Sequence, residues 1–353
     1  MASRPIRVLI VDDSIFMRTV LKGAVSSAPH MEVIGAAQNG TEALKRIEEL
    51  KPDVVTLDIE MPGLDGLQVL EWVMKTKPLP VIMVSTKTQA GAELTFRALE
   101  LGAVDYVAKP LADKDASLAN FRDKVIRAIE AAYASNHDRI GKHATTRVMR
   151  ARSAEIGTLD RVVAIGISAG GPATLHKLIP TLPKEFPPVV VTQHMPADFT
   201  GPFAQRLNGI SELEVLEAGE GSELRPGRLL IAPGDQHLRI TKRSGRTVAS
   251  LDRGPKISGF RPSVDALFES VASVYGPKAI ALVMTGMGVD GADGIRKLRM
   301  VGAKTLAQDQ ASSIVYGMPK AAFDTGCIDQ VVSLTEIPDV LVRLLQVEQT
   351  ATA

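Results

Sequence analysis

Short apolar runs, each closed by charged or turn-forming residues, recur along the chain, and segments of helical period separate them. In the first third, residues 8–11, 32–37, 54–58, 81–85 and 104–108 predict strands, and residues 41–50 and 94–101 place apolar side chains at helical spacing. Repeated βα units of this length predict a parallel sheet with helices on both faces. The pattern fades over residues 135–157, which are rich in Arg and Lys and lack apolar periodicity; they read as a solubilising linker. A second α/β pattern starts at Arg161. Residues 162–167, 189–193 and 279–284 predict buried strands, residues 214–240 a stretch of turns and short strands, and residues 296–300 and 337–345 helices. The chain is expected to divide into a domain over 1–134, a linker over 135–157, a larger domain over 158–346 and a frayed tail over 347–353.

Composition narrows the function classes. The 41 basic and 40 acidic residues of the 353-residue chain nearly cancel, which argues against a generally nucleic-acid-binding surface. One cysteine, Cys327, leaves no intramolecular disulfide to form, in keeping with a reducing compartment. The first apolar run is interrupted by Arg7 and closed by Asp12 and Asp13, too short and too charged for a secretory signal. No stretch approaches the roughly 18 apolar residues that span a bilayer. The expectation is a cytoplasmic protein without membrane insertion.

Ligands of parallel α/β sheets gather at the carboxyl ends of strands. Asp12 and Asp13 end the first predicted strand, Asp58 the third, Ser85 the fourth and Lys109 the fifth, so all are expected on one rim. Three neighbouring carboxylates call for a cation, and hard oxygen ligands suit Mg²⁺. Lys109 offers a point charge to a phosphate, Ser85 a hydroxyl, and Asp58 a nucleophile toward phosphorus. The alternative is that Asp12 and Asp13 merely cap the helix starting near Ser14.

Val11-Asp12-Asp13-Ser14, Leu57-Asp58-Ile59-Glu60-Met61-Pro62 and Ala108-Lys109-Pro110 together resemble the motif set of response-regulator receiver domains, over residue 6 to about residue 130. The resemblance implies a flavodoxin-like doubly wound sheet and Asp58 as acceptor of phosphate from a histidine kinase. It further implies Mg²⁺ held by Asp13, Asp58 and the main-chain carbonyl of Glu60, with Asp12 nearby. Ser85 and Tyr106 match the family's switch hydroxyl and switch aromatic.

The second domain opens with Gly166-Ile167-Ser168-Ala169-Gly170-Gly171 between a predicted strand and a helical segment that has Pro172 near its start. Glycines allow a sharp turn there, and a serine so placed stands at a helix amino terminus, where free N–H groups favour negative charge. A structural or phosphate-binding turn would carry the same pattern. A nucleophilic serine needs a base. Of the chain's six histidines, His30 lies in the first domain, His137 and His143 in the linker, and His176 within the helix after the serine. His194 ends the strand over 189–193, on the rim of Ser168, and is favoured over His237. An orienting carboxylate is available in Asp290, within Thr285-Gly286-Met287-Gly288-Val289-Asp290-Gly291. Asp290 could instead cap the helix that follows, as could Asp293. The order Ser, His, Asp is not that of the α/β-hydrolases, chymotrypsin or subtilisin.

These segments, with Gln193-His194-Met195-Pro196, Arg261-Pro262-Ser263-Val264-Asp265, Ala307-Gln308-Asp309 and Tyr316-Gly317-Met318-Pro319, resemble the chemotaxis protein-glutamate methylesterases, which are also protein-glutamine glutaminases. The resemblance spans roughly 160–345. It implies a mainly parallel α/β methylesterase domain, with Ser168 as nucleophile, His194 as base, Asp290 as orienting acid and the Met287 N–H as oxyanion donor. The family often carries a hydroxyl-bearing residue after the nucleophile; here it is Ala169, so that side-chain donor is absent.

The resulting expectation is a hydrolase that cleaves γ-methyl esters of glutamates on chemoreceptors, deamidates receptor glutamines without a cofactor, and is restrained until Asp58 is phosphorylated. The rivals are an output domain that binds DNA and one that docks receptors without catalysis. Cys327 is a weaker nucleophile candidate, with no base beside it in sequence.

Overall fold

The computed structural model describes residues 4–86, 88–110, 115–135, 148 and 160–346. The chain divides into two compact units, Met1–Thr146 and Arg147–Ala353. The predicted linker lies almost wholly outside the described residues, and the predicted tail lies entirely outside them.

The first unit alternates strands and helices throughout: β1 (Ile6–Val11), α1 (Ile15–Ser26), β2 (Met31–Ala37), α2 (Gly40–Leu50), β3 (Val54–Asp58), α3 (Gly66–Thr76), β4 (Val81–Ser85), α4 (Gln89–Leu101), β5 (Asp105–Ala108) and α5 (Asp115–Tyr133). The strands pair in parallel in the order β2-β1-β3-β4-β5. Every residue of β3 and β4 is buried, which is why these strands read as continuous apolar runs. Local chemistry starts the helices. Ser14 Oγ accepts from Met17 N at the head of α1, and Asp65 and Gln68 form a capping box at α3. The order reverses between β1 and β3, so the residues following these strands flank a crevice.

The second unit holds β6 (Val162–Ile167), α6 (Gly171–Leu178), β7 (Val189–Gln193), α7 (Ala197–Asn208), β8 (Glu214–Glu217), β9 (Arg228–Ile231), β10 (His237–Arg243), β11 (Arg246–Asp252), α8 (Val264–Tyr275), β12 (Ala279–Val283), α9 (Ala292–Met300), β13 (Lys304–Gln308), α10 (Met318–Asp324), β14 (Gln330–Val332) and α11 (Ile337–Gln346). Seven strands form a parallel sheet in the order β14-β13-β12-β6-β7-β9-β8. β10 and β11 form a separate antiparallel hairpin, turned at Ser244 (φ 49°) and Gly245 (φ 79°). The hairpin is tied to α8 by Ile240 N–H, which donates to Ser270 Oγ at 2.9 Å. α8 also lies close on β6, where a Cβ at Gly166 would come within 2.2 Å of Val264 Cγ1. Here β6 is the strand from which the winding departs in both directions, and its carboxyl end, with those of β7 and β12, forms the switch point.

Candidate functional site

In the first unit the crevice between β1 and β3 collects acids. Asp12 is fully buried, Asp58 is 2% exposed and Asp13 is exposed. One carboxylate oxygen from each of the three lies within 4.8 Å of those of the others. Lys109, just past β5, places Nζ 2.8 Å from Asp58 Oδ2 and 3.1 Å from Asp12 Oδ2. Asp12 Oδ1 accepts from Ser14 N at 2.9 Å, so the capping reading holds in part: Ser14 itself caps α1, and Asp12 fastens the turn before it. Burial pushes Asp58 up to about 6, against the opposing pull of Lys109, and also raises Asp12. Burial alone would lower Lys109, but the two carboxylates outweigh it and keep the ammonium charged. The ammonium pairs with Asp12 and Asp58 but not with the exposed Asp13, so the three clustered carboxylates outnumber the cation beside them, and this donor set fits a hard divalent cation.

Ser85 and Tyr106 stand where the sequence placed them, at the end of β4 and on β5. Ser85 Oγ is engaged with α4, 2.7 Å from Thr95 Oγ1 and 3.2 Å from the Gly91 carbonyl oxygen. Glu60 lies in the turn after β3, where its side chain accepts from Thr86 Oγ1 at 3.5 Å. Thr95 was not among the residues read from the sequence; only its position on the helical face toward β4 could have drawn attention to it.

In the second unit Ser168 follows β6 directly and His194 follows β7, at adjoining ends of paired strands: Ile167 pairs with Gln193, and His194 N–H donates to the Ile167 carbonyl at 3.2 Å. The serine turn is held on three sides. Ser168 N–H donates to Thr285 O at 2.9 Å, Gln193 Nε2 donates to Ser168 O at 2.9 Å, and Thr285 Oγ1 donates to Ala169 O at 2.9 Å. Gly170 has φ 74°, the left-handed conformation that opens α6 behind the serine.

Asp290 comes from the loop after β12 and reaches the imidazole: His194 Nε2 and Asp290 Oδ2 are 2.8 Å apart. Asp290 is 1% exposed, yet every need of its carboxylate is met. It accepts from Ser263 Oγ (2.8 Å), Val264 N (2.8 Å) and Asp265 N (3.1 Å). Burial would raise this carboxyl, but the imidazole and the backbone amides hold it below the usual carboxylate range. Asp290 therefore does cap a helix, though not the one that follows it: its oxygens serve the start of α8. Asp265 serves α9 in turn, accepting from Gly291 N (3.0 Å) and Gly294 N (2.7 Å). Asp293 pairs with Arg296 instead.

Because the ionised Asp290 takes Nε2, that nitrogen carries the proton, and Nδ1 is buried with no hydrogen-bond partner among the described residues. His237, the rival base, is committed elsewhere: its Nε2 is 2.9 Å from Pro255 O and its Nδ1 accepts from Ser263 N at 3.2 Å. Cys327 packs against the core beside Ile328 and has its Sγ 3.6 Å from Thr325 O. Met287 sits in the loop between β12 and Asp290, and no hydrogen bond from its N–H is found among the described residues. Sequence reasoning missed Phe260, Ser263 and Asp265 as parts of this site. The last two lay in a quoted motif, but nothing in the spacing showed that it would meet Asp290.

The two units thus define the class: a receiver-type acidic pocket joined to an α/β output domain with a serine, an imidazole and a carboxylate gathered at its switch point. The chain belongs to the CheB methylesterase family, which matches residues 163–341, and the response regulator receiver domain matches residues 8–119. A Pyrococcus abyssi protein named protein-glutamate methylesterase/protein-glutamine glutaminase is 43% identical over 350 residues, 98% of this chain and 95% of the relative. A Thermotoga maritima protein of the same name is 42% identical over 346 residues, 98% of this chain and all of the relative (100%). The crystal structure of the Thermotoga maritima CheB methylesterase catalytic domain is 43% identical, with a TM-score of 0.52, covering 53% of this chain and 100% of that one.

Proposed function

We propose that this chain removes methyl esters from glutamate side chains of chemoreceptors, deamidates selected receptor glutamines, and is switched on by phosphorylation of Asp58. The observation that carries the catalytic part is the 2.8 Å contact between His194 Nε2 and Asp290 Oδ2, at the strand end adjoining that of Ser168 and with Nδ1 unengaged among the described residues.

Ser168 Oγ attacks the ester carbonyl while His194 Nδ1 takes the hydroxyl proton. Asp290 holds the tautomer and stabilises the imidazolium. The Met287 N–H, aided by the main chain after Ser168, receives the developing oxyanion; losing one such donor costs about 2.7–4 kcal/mol of barrier. When the tetrahedral intermediate collapses, the imidazolium gives its proton to the leaving methoxide and methanol departs. Water, deprotonated by His194, then cleaves the glutamyl-serine ester and frees the glutamate. With a glutamine substrate the leaving group is ammonia, and the steps are otherwise the same.

In the receiver unit, Asp13, Asp58 and the main-chain carbonyl of Glu60, with Asp12 close by, would hold Mg²⁺, which supplies charge neutralisation for a phosphoryl group arriving from a histidine kinase. Asp58 accepts that group, and Lys109 pairs with its oxygens. Phosphorylation adds about 1.5–2 negative charges. Ser85 would then leave Thr95 and Gly91 for the phosphate, and Tyr106 would follow it inward.

Methanol release from methylated receptor membranes, with and without a small-molecule phosphodonor, tests the reading. Wild-type protein should release methanol faster with the phosphodonor, Ser168→Ala should release none, and Asp58→Asn should not respond to the donor. A Ser168→Ala protein that demethylates at the wild-type rate removes the serine from this role.

A further inference from the structure

The catalytic imidazole has a neighbour that the proposed mechanism does not use. The ring of Phe260 lies flat on His194, with centroids 3.8 Å apart and planes 6° from parallel. Phe260 belongs to no strand or helix. It closes a tight turn between β11 and α8, in which Ile257 N–H donates to Phe260 O (3.1 Å) and Phe260 N–H donates to Ile257 O (2.9 Å). The two central residues, Ser258 (φ 51°) and Gly259 (φ 83°), both take the left-handed conformation such a turn requires. The next residue, Arg261, fixes the turn from behind: its guanidinium donates to Asp235 Oδ1 (2.6 Å), Arg253 O (3.0 Å) and Gly254 O (2.8 Å). On its other side the aromatic ring reaches the oxyanion loop, where a Cβ at Gly288 would lie 3.9 Å from Phe260 Cε2.

This arrangement supplies what the carboxylate lacks. A single hydrogen bond to Nε2 fixes one atom of the imidazole but leaves the ring free to rock about the bond's axis. A parallel ring at van der Waals distance removes that freedom. It also covers one face, which helps keep the His194 side chain only 6% exposed. An aromatic face further attracts the cation that the imidazole becomes when it takes the serine proton.

We propose that Phe260 is a positioning residue for the base: it sets the plane of His194 so that Nδ1 faces Ser168 Oγ, and it favours the imidazolium of the transition state. The inference rests on the Ser168–His194–Asp290 reading.

The test uses full-length protein with phosphodonor and methylated receptor membranes, and compares Phe260→Leu, Phe260→Tyr, Phe260→Trp and Ser168→Ala. A second readout is the rate at which a fluorophosphonate labels Ser168, which needs no receptor. Phe260→Leu should lower both kcat and labelling about tenfold at unchanged KM, whereas the two aromatic variants should stay within about threefold of wild type. Wild-type rates in Phe260→Leu, with Ser168→Ala inactive, would overturn the inference alone. Equal losses in the Leu, Tyr and Trp variants would also overturn it, since only packing would then be at stake. An active Ser168→Ala would bring down the triad reading and this inference together.

Discussion

Asp265 and Asp290 each serve the helix that the other opens. Asp290 accepts from the first amides of α8, and Asp265 accepts from Gly291 N and Gly294 N at the start of α9. The two carboxyls are held together out of water, and the strain falls on one of them. Burial, with Asp290 adding to it, pushes Asp265 from its ordinary 3.8 up to about 7. The folded state therefore holds this proton more tightly than the unfolded chain does. The resulting stabilisation is complete below about pH 4 and is lost as pH rises through about 7. Asp265→Asn keeps an acceptor oxygen for the glycine amides and carries no charge. Its urea midpoint should gain on wild type as pH rises from about 5 to 8; a difference that stays constant with pH would refute the argument. Asp290→Asn acts on chemistry instead, because an amide can present its NH₂ to His194 and reverse the tautomer. It should cost about 10³–10⁴ in methanol release. Ser168, His194 and Asp290 were legible in the sequence because each ends or follows a buried strand, so position along the chain fixed position on the rim. Phe260 and Asp265 were not, because their roles arise from α8 and its preceding turn meeting the loop after β12, a contact that no local period records.

The elements that read most clearly are those buried on both faces. Residues 54–58, 81–85, 162–167 and 189–193 match β3, β4, β6 and β7 end for end, and all but Ala164 and Gly166 of β6 are large apolar or β-branched residues or terminal polar ones. Short or half-exposed strands gave no such signal: β14 has one buried residue of three, and β11 exists through its partner β10. The start of α4 was read five residues late because Thr88, whose side chain accepts from Gly91 N, extends the helix beyond its apolar stripe. α8 and β13 went unread as elements, although both are integral to the core around β6 and β12. Two glycines show how closely these elements meet. At Gly166 a methyl group would sit 2.2 Å from Val264 Cγ1, so Gly166→Ala must push α8 off β6. Denaturant unfolding should show a loss of about 1–3 kcal/mol. At Gly286 the same methyl would meet Met318 Sδ at 2.4 Å and Ser168 Cβ at 2.7 Å. The thioether can move aside, but the serine turn cannot move without losing its bonds to Thr285 and Gln193. Gly286→Ala should therefore lower kcat at least about tenfold while leaving far-UV circular dichroism unchanged.

At the scale of the whole molecule, one topological rule produces two different chemistries. In each unit the sheet order reverses, and the strand ends beside the reversal carry most of the candidate groups: Asp12, Asp13 and Asp58 in the first unit, with Lys109 reaching in from the end of β5, and Ser168, His194 and Asp290 in the second. The first unit fills its crevice with carboxylates and one ammonium; the second fills its own with a hydroxyl, an imidazole and one well-capped acid. Their responses to a divalent cation should differ accordingly. Three clustered carboxylates, two of them paired with Lys109, repel each other in the absence of a cation, so millimolar Mg²⁺ should stabilise the fold of the first unit and leave the second indifferent. Binding at about a hundred times Kd is worth about 2.7 kcal/mol, enough to move a thermal transition by several degrees. Calorimetry of the full chain should show one transition that rises with Mg²⁺ and falls with a chelator, and another that does neither. Asp13→Asn should abolish the response of the first transition. Fluorophosphonate labelling of Ser168 in the absence of phosphodonor should be the same with Mg²⁺ and with chelator, because no carboxylate of the cluster belongs to the serine's unit. A labelling rate that followed Mg²⁺ without phosphate would show that the cation itself, and not the phosphoryl group, carries the signal to the second unit.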